Sequence, residues 1–323
     1  MLGFFGKLTL ALLLASFATP TFAEYPDRPI KMIVPFPAGG GTDYSGRIMA
    51  KYMAERLKQA IYVDNRAGAN GIVGLQALKQ ATADGYTIAT ASDGPLIYNR
   101  GLYKDKLPYD TLKDFVPIAM VMKLPAVMVV HPSVPVKTIG ELIALAKEKP
   151  GQLNYASAGV GNFSHLGMEL FMQATGIKLQ HIPYTGTAPA NQAALAGNVQ
   201  VTFNNLESLM PTVLSGQLRA LGVGEPRRVN AFPDIPTIGE TVPGFAMAAW
   251  TGLVAPAGTP KEIVARLAKE AEAVLADPEV LVVLEKQHVI AAPVTLDAFA
   301  AFIATENEKW GKVIDSAGIK LQQ

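Results

Sequence analysis

Two segments of this chain run from an apolar strand through a glycine-rich loop into a helix start, and this order constrains the fold most. The first is VPFPAGGGTD at residues 34–43, and the second is SAGVGNFSH at residues 157–165. A further turn, YTGTA at 184–188, follows the second. Glycine allows the backbone to approach a ligand, and a helix N-terminus presents free N–H groups with partial positive charge. Such loops hold anions without basic side chains, which favours a receptor for a small carboxylate over a catalyst.

Residues 1–23 are predicted to be a secretory signal peptide. A basic start containing Lys7 leads into an apolar run at 8–18, and the small-x-small sequence TFA follows at 21–23. We expect cleavage after Ala23 and export to the periplasm, with a retained N-terminal anchor as the alternative. The chain has no Cys, which excludes disulfides, thiol catalysis and thiolate metal sites.

The length and charge of the rest of the chain exclude several classes of protein. The remaining 300 residues favour two domains. Lys and Arg total 28 against 27 Asp and Glu, and removal of Lys7 with the signal peptide would make the two totals equal. A balanced chain without basic blocks argues against nucleic acid or an anionic membrane as partner.

Strands and helices alternate along residues 30–91, which predicts a mostly parallel sheet with helices on both faces. The apolar stretch 116–130, interrupted at Lys123 and Pro125, predicts two strands that cross between domains, and 218–223 predicts the return crossing. Helices are expected at residues 42–59, 72–80, 138–150, 164–175 and 188–196, and in the tail from 260, 277 and 295. This order predicts two α/β lobes joined by crossing strands, with a loop from each facing a cleft.

Two long stretches, 151–168 and 179–206, contain no Asp, Glu, Lys or Arg. Loops that face water normally carry charges, so these stretches are either buried in a core or line a cleft. Their content of Ser, Thr, Asn, Gly and Tyr favours a cleft with many hydrogen-bonding groups and few charges.

Two titratable residues lie at the predicted helix starts. Asp43 is expected to cap its helix rather than touch a ligand, because a carboxylate would repel an anion, and Arg47 lies one turn later, at pairing distance. His165, expected to be neutral, either donates to a ligand oxygen or only packs at the helix start. The hydroxyl candidates in the same loops are Ser157, Ser164 and Thr187.

Catalytic and cofactor motifs are missing from the sequence. There is no G-x-S-x-G or P-loop, and the four His residues (131, 165, 181 and 288) lack metal-ligand spacing. The sequence at 159–161 is only a fragment of a dinucleotide fingerprint. We therefore expect no catalytic residue, no cofactor and no metal. A secreted hydrolase that uses Ser157 or Ser164 is the minor alternative.

Several motifs occur in an order that is very specific, although each is short. They lie at residues 25–30, 34–43, 65–69, 84–87, 157–166, 183–186, 233–237 and 250–260. In this order the chain resembles the substrate-binding proteins of tripartite tricarboxylate transporters, the Bug receptors of bacterial periplasms. The resemblance covers essentially the whole mature chain.

The resemblance implies the type II periplasmic-binding-protein fold, in which two α/β domains close over a ligand by a hinge motion. Domain I would comprise 24–124 and 225–323, and domain II would comprise 125–224. Backbone amides and waters would hold a carboxylate. Carried over to this sequence, the ligand-binding residues would be Phe36, Ala38, Gly39, Thr42, Asp43, Ser92, Ala158, Gly159, Asn162, Ser164, His165, Tyr184, Thr187, Ala188 and Asn204.

The sequence departs from the family pattern at two places: 92–95 differs from the usual turn of small residues, and 199–201 lacks the Asp that many members carry there. Both segments could face the distal end of the ligand, so the ligand stays open among di- and tricarboxylates, acidic amino acids and aromatic acids. Asp93 either serves an amino or hydroxyl group or caps a turn that points to solvent. The expected function is that of a monomeric solute-binding protein that delivers a carboxylate to membrane transporter subunits. A binding module for a sensor kinase is the alternative.

Overall fold

The computed structural model describes residues 25–317, so the predicted signal peptide lies outside the described residues. Eleven strands are found in this range. They are β1 (Ile30–Val34), β2 (Ile61–Asn65), β3 (Thr87–Ser92), β4 (Phe115–Leu124), β5 (Ala126–Val130), β6 (Asn154–Ser157), β7 (Gln180–Pro183), β8 (Val201–Asn205), β9 (Arg219–Val223), β10 (Ala249–Pro256) and β11 (Ile290–Thr295).

Ten α-helices accompany the strands in the same range. They are α1 (Gly41–Leu57), α2 (Ile72–Lys79), α3 (Asn99–Tyr103), α4 (Ile139–Glu148), α5 (Phe163–Thr175), α6 (Thr187–Leu195), α7 (Leu206–Leu214), α8 (Lys261–Leu275), α9 (Pro278–Lys286) and α10 (Leu296–Ala317). The eight helices expected from the sequence are confirmed: both ends of the first five, and the starts of the three in the tail, agree to within two residues. The short α3 and the Pro-containing α7 were not predicted.

The strands form two sheets. The first has the order β11-β4-β10-β3-β1-β2, and the second has the order β7-β6-β8-β5-β9. Helices α1, α2, α8 and α10 pack on the first sheet, whereas α5, α6 and α7 pack on the second. We call the two sheets with these helices the first and the second lobe.

The predicted parallel pairing is confirmed for the strands of residues 30–91, because β1 pairs in parallel with β2 and with β3. The complete sheets, however, are mixed rather than mostly parallel. Four strand pairings are parallel and five are antiparallel. The antiparallel pairings involve the strands that carry the chain between lobes, because β10 returns from the second lobe and inserts between β3 and β4. A strand that returns to its sheet from the other lobe runs opposite to the strands it joins, so its pairings are antiparallel.

The predicted crossing at 116–130 is confirmed. Strand β4 belongs to the first sheet and β5 to the second, with Pro125 between them. Proline has no N–H to donate to a ladder, so it suits the point where the strand changes sheets. The predicted return crossing at 218–223 is wrong, because residues 219–223 form β9 within the second sheet. The return passes through 224–248, and Phe245 in that segment packs on Phe203 of the second lobe. The domain boundaries given above stay a proposal.

All residues of β5 and of β10 are buried, as expected for central strands covered by helices on both faces. The carboxyl ends of β1, β3 and β6 lead into loops that lie between the lobes, and these loops build the site described next. Among residues 25–317, the helices are too short or too polar to traverse a lipid bilayer.

Candidate functional site

A narrow cavity of about 70 Å³ lies between the two lobes, a size that excludes macromolecular ligands. Residues from both lobes line it. The first lobe supplies Phe36, Pro37, Ala38, Gly40, Gly41, Thr42, Ser92, Asp93, Leu124, Ala249 and Trp250. The second lobe supplies Ala158, Asn162, Phe163, Gly186, Thr187, Ala188, Pro189, Asn204 and Asn205.

The N-terminus of α1 opens onto this cavity from the first lobe. Helix α1 begins at Gly41, and its N-cap residue Gly40 has no side chain to satisfy the first N–H groups. Among the described residues, no acceptor is found for the N–H groups of Gly41 and Thr42. These N–H groups and the helix dipole give this end of the cavity a partial positive charge.

The N-terminus of α6 opens onto the same cavity from the second lobe. Its N-cap is Gly186, and within residues 25–317 the N–H groups of Thr187 and Ala188 likewise meet no protein acceptor. The two termini face each other closely: a Cβ on Gly40 would lie 4.0 Å from Thr187 Oγ1. Two helix N-termini from different lobes therefore converge on one small space.

Asp43 holds the first glycine loop in shape. Its carboxylate accepts hydrogen bonds from Gly39 N (3.0 Å) and Asn65 Nδ2 (2.9 Å), and it pairs with Arg47 Nε at 2.9 Å. Burial alone would raise the pKa of Asp43, but the hydrogen bonds from Arg47, Gly39 and Asn65 outweigh it and lower the pKa. The predicted Arg47 pair is confirmed, whereas the predicted N-cap is wrong: the cap is Gly40, and Asp43 is the third helical residue.

The second glycine loop is braced by Ser164 and Asn162. Asn162 caps α5 by accepting a hydrogen bond from Ser164 N at 3.1 Å, and Ser164 Oγ accepts one from Ala158 N at 2.8 Å. Ser164 is fully buried behind the loop, whereas Asn162 lines the cavity.

A cluster of two His residues with Ser157 lies behind the same loop. Ser157 Oγ is 2.6 Å from His181 Nε2, and the imidazoles of His181 and His165 stack at 4.0 Å. His165 Nδ1 accepts a hydrogen bond from Gly161 N at 3.0 Å, so this histidine supports the loop. Burial and the neighbouring His165 lower the pKa of His181 to about 3.

The pairing of Ser157 with His181 has the geometry of a serine–histidine dyad, but Ser157 is fully buried and does not line the cavity. A substrate in the cavity has no access to its hydroxyl. Among residues 25–317, no group of three or more His, Asp or Glu is placed to bind a metal ion.

Asp93 is the one charged side chain among the residues that line the cavity. Its carboxylate accepts from Gly94 N at 2.8 Å and from the Tyr98 hydroxyl at 3.4 Å. Only 3 % of Asp93 is exposed, and this burial raises its pKa to about 7. Asp93 thus caps the following turn, as one interpretation expected, but it points away from bulk solvent. Gln200, in the other departing segment, bonds to Asn154 N and does not line the cavity.

The structure brings nine of the fifteen expected site residues to the cavity wall. They are Phe36, Ala38, Thr42, Ser92, Ala158, Asn162, Thr187, Ala188 and Asn204. The other six do not line the cavity, although several of them stabilise the loops that do. They are Gly39, Asp43, Gly159, Ser164, His165 and Tyr184. Whether any of the fifteen contacts a ligand stays a prediction.

Sequence reasoning missed several lining residues. Leu124, Ala249 and Trp250 come from the crossing strands, and Asn205 is the N-cap of the unpredicted α7. Gly40, Gly41 and Phe163 adjoin predicted residues in the same two loops, so the glycine-loop signal extends to them. The crossing strands carry no comparable signal.

A comparison with known protein families shows which family the chain belongs to. The family described as tripartite tricarboxylate transporter family receptor matches residues 46–319. The chain belongs to this family. It is 36% identical to protein BugT of Bordetella pertussis over 311 residues, 95% of each chain, which confirms the expected Bug relationship.

Solved structures of similar proteins confirm the two-lobed fold of this receptor. The structure titled "R. palustris Rpa4515 with adipate" superposes with a TM-score of 0.88 at 32% identity, covering 92% of this chain and 99% of that one. MatC (Rpa3494) from Rhodopseudomonas palustris with bound malate gives 0.83 at 30% identity, covering 90% and 100%. The chain is therefore a periplasmic solute-binding receptor, and its family and structural neighbours are binding proteins rather than enzymes.

Proposed function

We propose that this receptor captures a small carboxylate between its lobes and delivers it to the membrane subunits of a tripartite tricarboxylate-type transporter. One observation carries the proposal: the N-termini of α1 and α6 face one cavity from opposite lobes, and no basic side chain is among the residues that line it. Such an arrangement favours an anion whose oxygens accept backbone N–H groups.

The carboxylate oxygens would accept hydrogen bonds from the N–H groups of Gly41 and Thr42 on one side and of Thr187 and Ala188 on the other. Since each lobe contributes only part of the donors, an anion completes its hydrogen bonds only when the lobes are together. Binding therefore favours the closed arrangement by its differential contacts, and no covalent bond changes.

The solved neighbours suggest which ligands to test first. Two of them are described with adipate and with malate, both dicarboxylates. The polar groups of Ser92, Asn162 and Asn204 line the rest of the cavity and are suited to the far end of such a ligand. Dicarboxylates are therefore the first class to test, before acidic amino acids and aromatic acids.

A thermal-shift screen of the purified protein tests this proposal. Each carboxylate is compared with its amide at the same concentration, for example adipate with adipamide, because the amide keeps the shape and removes the charge. A ligand at a hundred times its dissociation constant stabilises the fold by about 2.7 kcal/mol, which raises the Tm by several degrees. Stabilisation by a carboxylate but not by its amide supports the proposal. No shift with any carboxylate, or equal shifts with the amides, contradicts it.

A further inference from the structure

Asn70 connects the two lobes outside the cavity wall. It lies in the first lobe, between β2 and α2, and its Nδ2 donates to Gly161 O of the second lobe at 2.9 Å. Its Oδ1 accepts from Asn162 Nδ2 at 3.4 Å. Asn162 lines the cavity and caps α5, so the same side chain touches the glycine loop of the opposite lobe at two points.

The first lobe holds this amide in a single orientation. Asn70 Nδ2 also donates to Asn99 Oδ1 at 2.9 Å, and Asn99 Nδ2 donates back to Asn70 O at 3.1 Å. Asn99 is fully buried. Asn70 itself adopts the left-handed conformation, with φ +50°, which asparagine tolerates better than most residues. An amide fixed in this way loses little side-chain freedom when the lobes meet.

The second lobe presents Gly161 in a matching way. The Gly161 N–H donates to His165 Nδ1 of its own lobe, which anchors the residue on one side, and the Gly161 carbonyl, in the following peptide unit, accepts from Asn70. Gly161 has φ +74°, and a Cβ at this position would overlap Leu102 Cδ1 of the first lobe. The two lobes therefore approach within contact distance here, at a point built from both sides.

We propose that Asn70 is a positioning residue that stabilises the closed arrangement of the lobes through Gly161 and Asn162. When the lobes separate, the hydrogen bond between the Asn70 amide and the Gly161 carbonyl breaks, and both groups bind water instead. The hydrogen bonds across the gap exist only in the closed form. The balance between open and closed forms, and with it the apparent ligand affinity, then depends on this side chain.

The other role open to Asn70 is to shape its own turn, and two substitutions separate the roles. Asn70→Gly removes the amide and keeps the positive φ without strain. Asn70→Asp keeps the size and tolerates the same φ, but it turns the donor into an acceptor that faces Gly161 O and Asn99 Oδ1. If Asn70 only shapes the turn, both variants behave as wild type. If it bridges the lobes, both favour the open form, and Asn70→Asp does so more.

The distance between the lobes is measured directly with spin labels, since the chain has no native Cys. The exposed residues Glu55 in α1 and Gln192 in α6 are replaced by Cys as label sites. Pulsed electron paramagnetic resonance then gives the populations of short and long distances. We expect Asn70→Gly to lower the ratio of closed to open form about twofold to tenfold, the range for one net hydrogen bond. Gln80→Gly removes an exposed amide at the end of α2, away from the cavity and from the crossing segments, and should leave the ratio unchanged.

The ligand arm of the experiment rests on the proposed function, whereas the distance arm does not. With adipate and malate as probes, the loss of affinity in Asn70→Gly should equal the factor by which the closed fraction falls. If neither probe nor any other carboxylate of the thermal-shift screen binds, but the distances shift as expected, the carboxylate proposal fails and this inference stands. Distance distributions that neither variant changes, with or without a probe, would overturn the inference. So would an Asn70→Asp variant that matches the wild type.

Discussion

Asn65 Nδ2 donates to Asp43 Oδ1 at 2.9 Å and to Phe36 O at 3.0 Å, so one amide at the end of β2 ties together both ends of the first glycine loop. Asp43 is almost fully buried and accepts two further hydrogen bonds, from Gly39 and Arg47. The shape of the loop that presents the α1 N-terminus therefore depends on one carboxylate.

Asp43→Asn should lower the free energy of unfolding by about 1–2 kcal/mol, because it replaces charge-assisted hydrogen bonds with weaker neutral ones. The lost ion pair with Arg47 adds little to this cost, since the Arg47 side chain is half exposed. A folded carboxylate with a lowered pKa stabilises the protein above its ordinary pKa of 3.8, and this stability is lost as the pH falls through the folded pKa. Urea unfolding at several pH values should thus show the deficit of the variant at pH 7 and its decline below pH 3.8. An equal deficit at all pH values would contradict this account of Asp43.

Gly41→Ala should weaken ligand binding while each lobe stays folded. A Cβ on Gly41 would lie 2.6 Å from Asn205 Nδ2 and 3.2 Å from Glu207 Oε1, both on the second lobe. Overpacking of this kind costs about 1–3 kcal/mol, so the affinity should fall at least about fivefold. Gly140→Ala in α4 is the matched control, since its Cβ meets only Thr138 Oγ1, at 3.9 Å, away from the cavity. Equal calorimetric affinities of the two variants would show that the lobes do not close at Gly41.

Asp93→Asn should stabilise the protein at high pH. Burial raises the pKa of Asp93 to about 7, so the folded state binds a proton that the unfolded state has released. Ionised Asp93 therefore destabilises the fold increasingly as the pH rises from 4 to 7, by at most about 4 kcal/mol, and the penalty is constant above that range. Asparagine keeps an oxygen that accepts the Gly94 N–H. The Tm of the variant should equal that of the wild type near pH 4 and exceed it at pH 8. A lower Tm at pH 8 would mean that the ionised carboxylate has a stabilising partner.

The helices, the crossing at Pro125 and the glycine loops could be predicted from the sequence because each has a local cause. Caps, apolar periodicity and the missing N–H of proline act within a few residues of where they stand. The glycine loops are local signals of this kind, and the residues Thr42, Asn162 and Thr187 predicted from them do line the cavity.

The rest depends on contacts between segments that are distant in sequence. Trp250 reaches the wall because β10 inserts antiparallel between β3 and β4, and no local pattern encodes that insertion. Asn70 meets Gly161 across 91 positions of sequence. Asp43 is expected to cap α1 because Asp is a common cap residue, but its carboxylate instead accepts from Asn65, 22 positions away, which only the folded chain brings within reach.

Calorimetric titration of Ala188→Asp, using the carboxylate that gives the largest thermal shift, tests the central claim most directly. Ala188 is an exposed residue in the first turn of α6 and lines the cavity. A carboxylate at this position interacts favourably with the helix dipole but repels an anionic ligand. Gly140→Asp places the same charge in the exposed first turn of α4, away from the cavity, as the matched control. We expect the affinity to fall about tenfold or more in Ala188→Asp, with an unchanged or higher Tm, and to stay at the wild-type value in Gly140→Asp. Wild-type affinity in Ala188→Asp would contradict the claim that the facing helix N-termini bind the carboxylate.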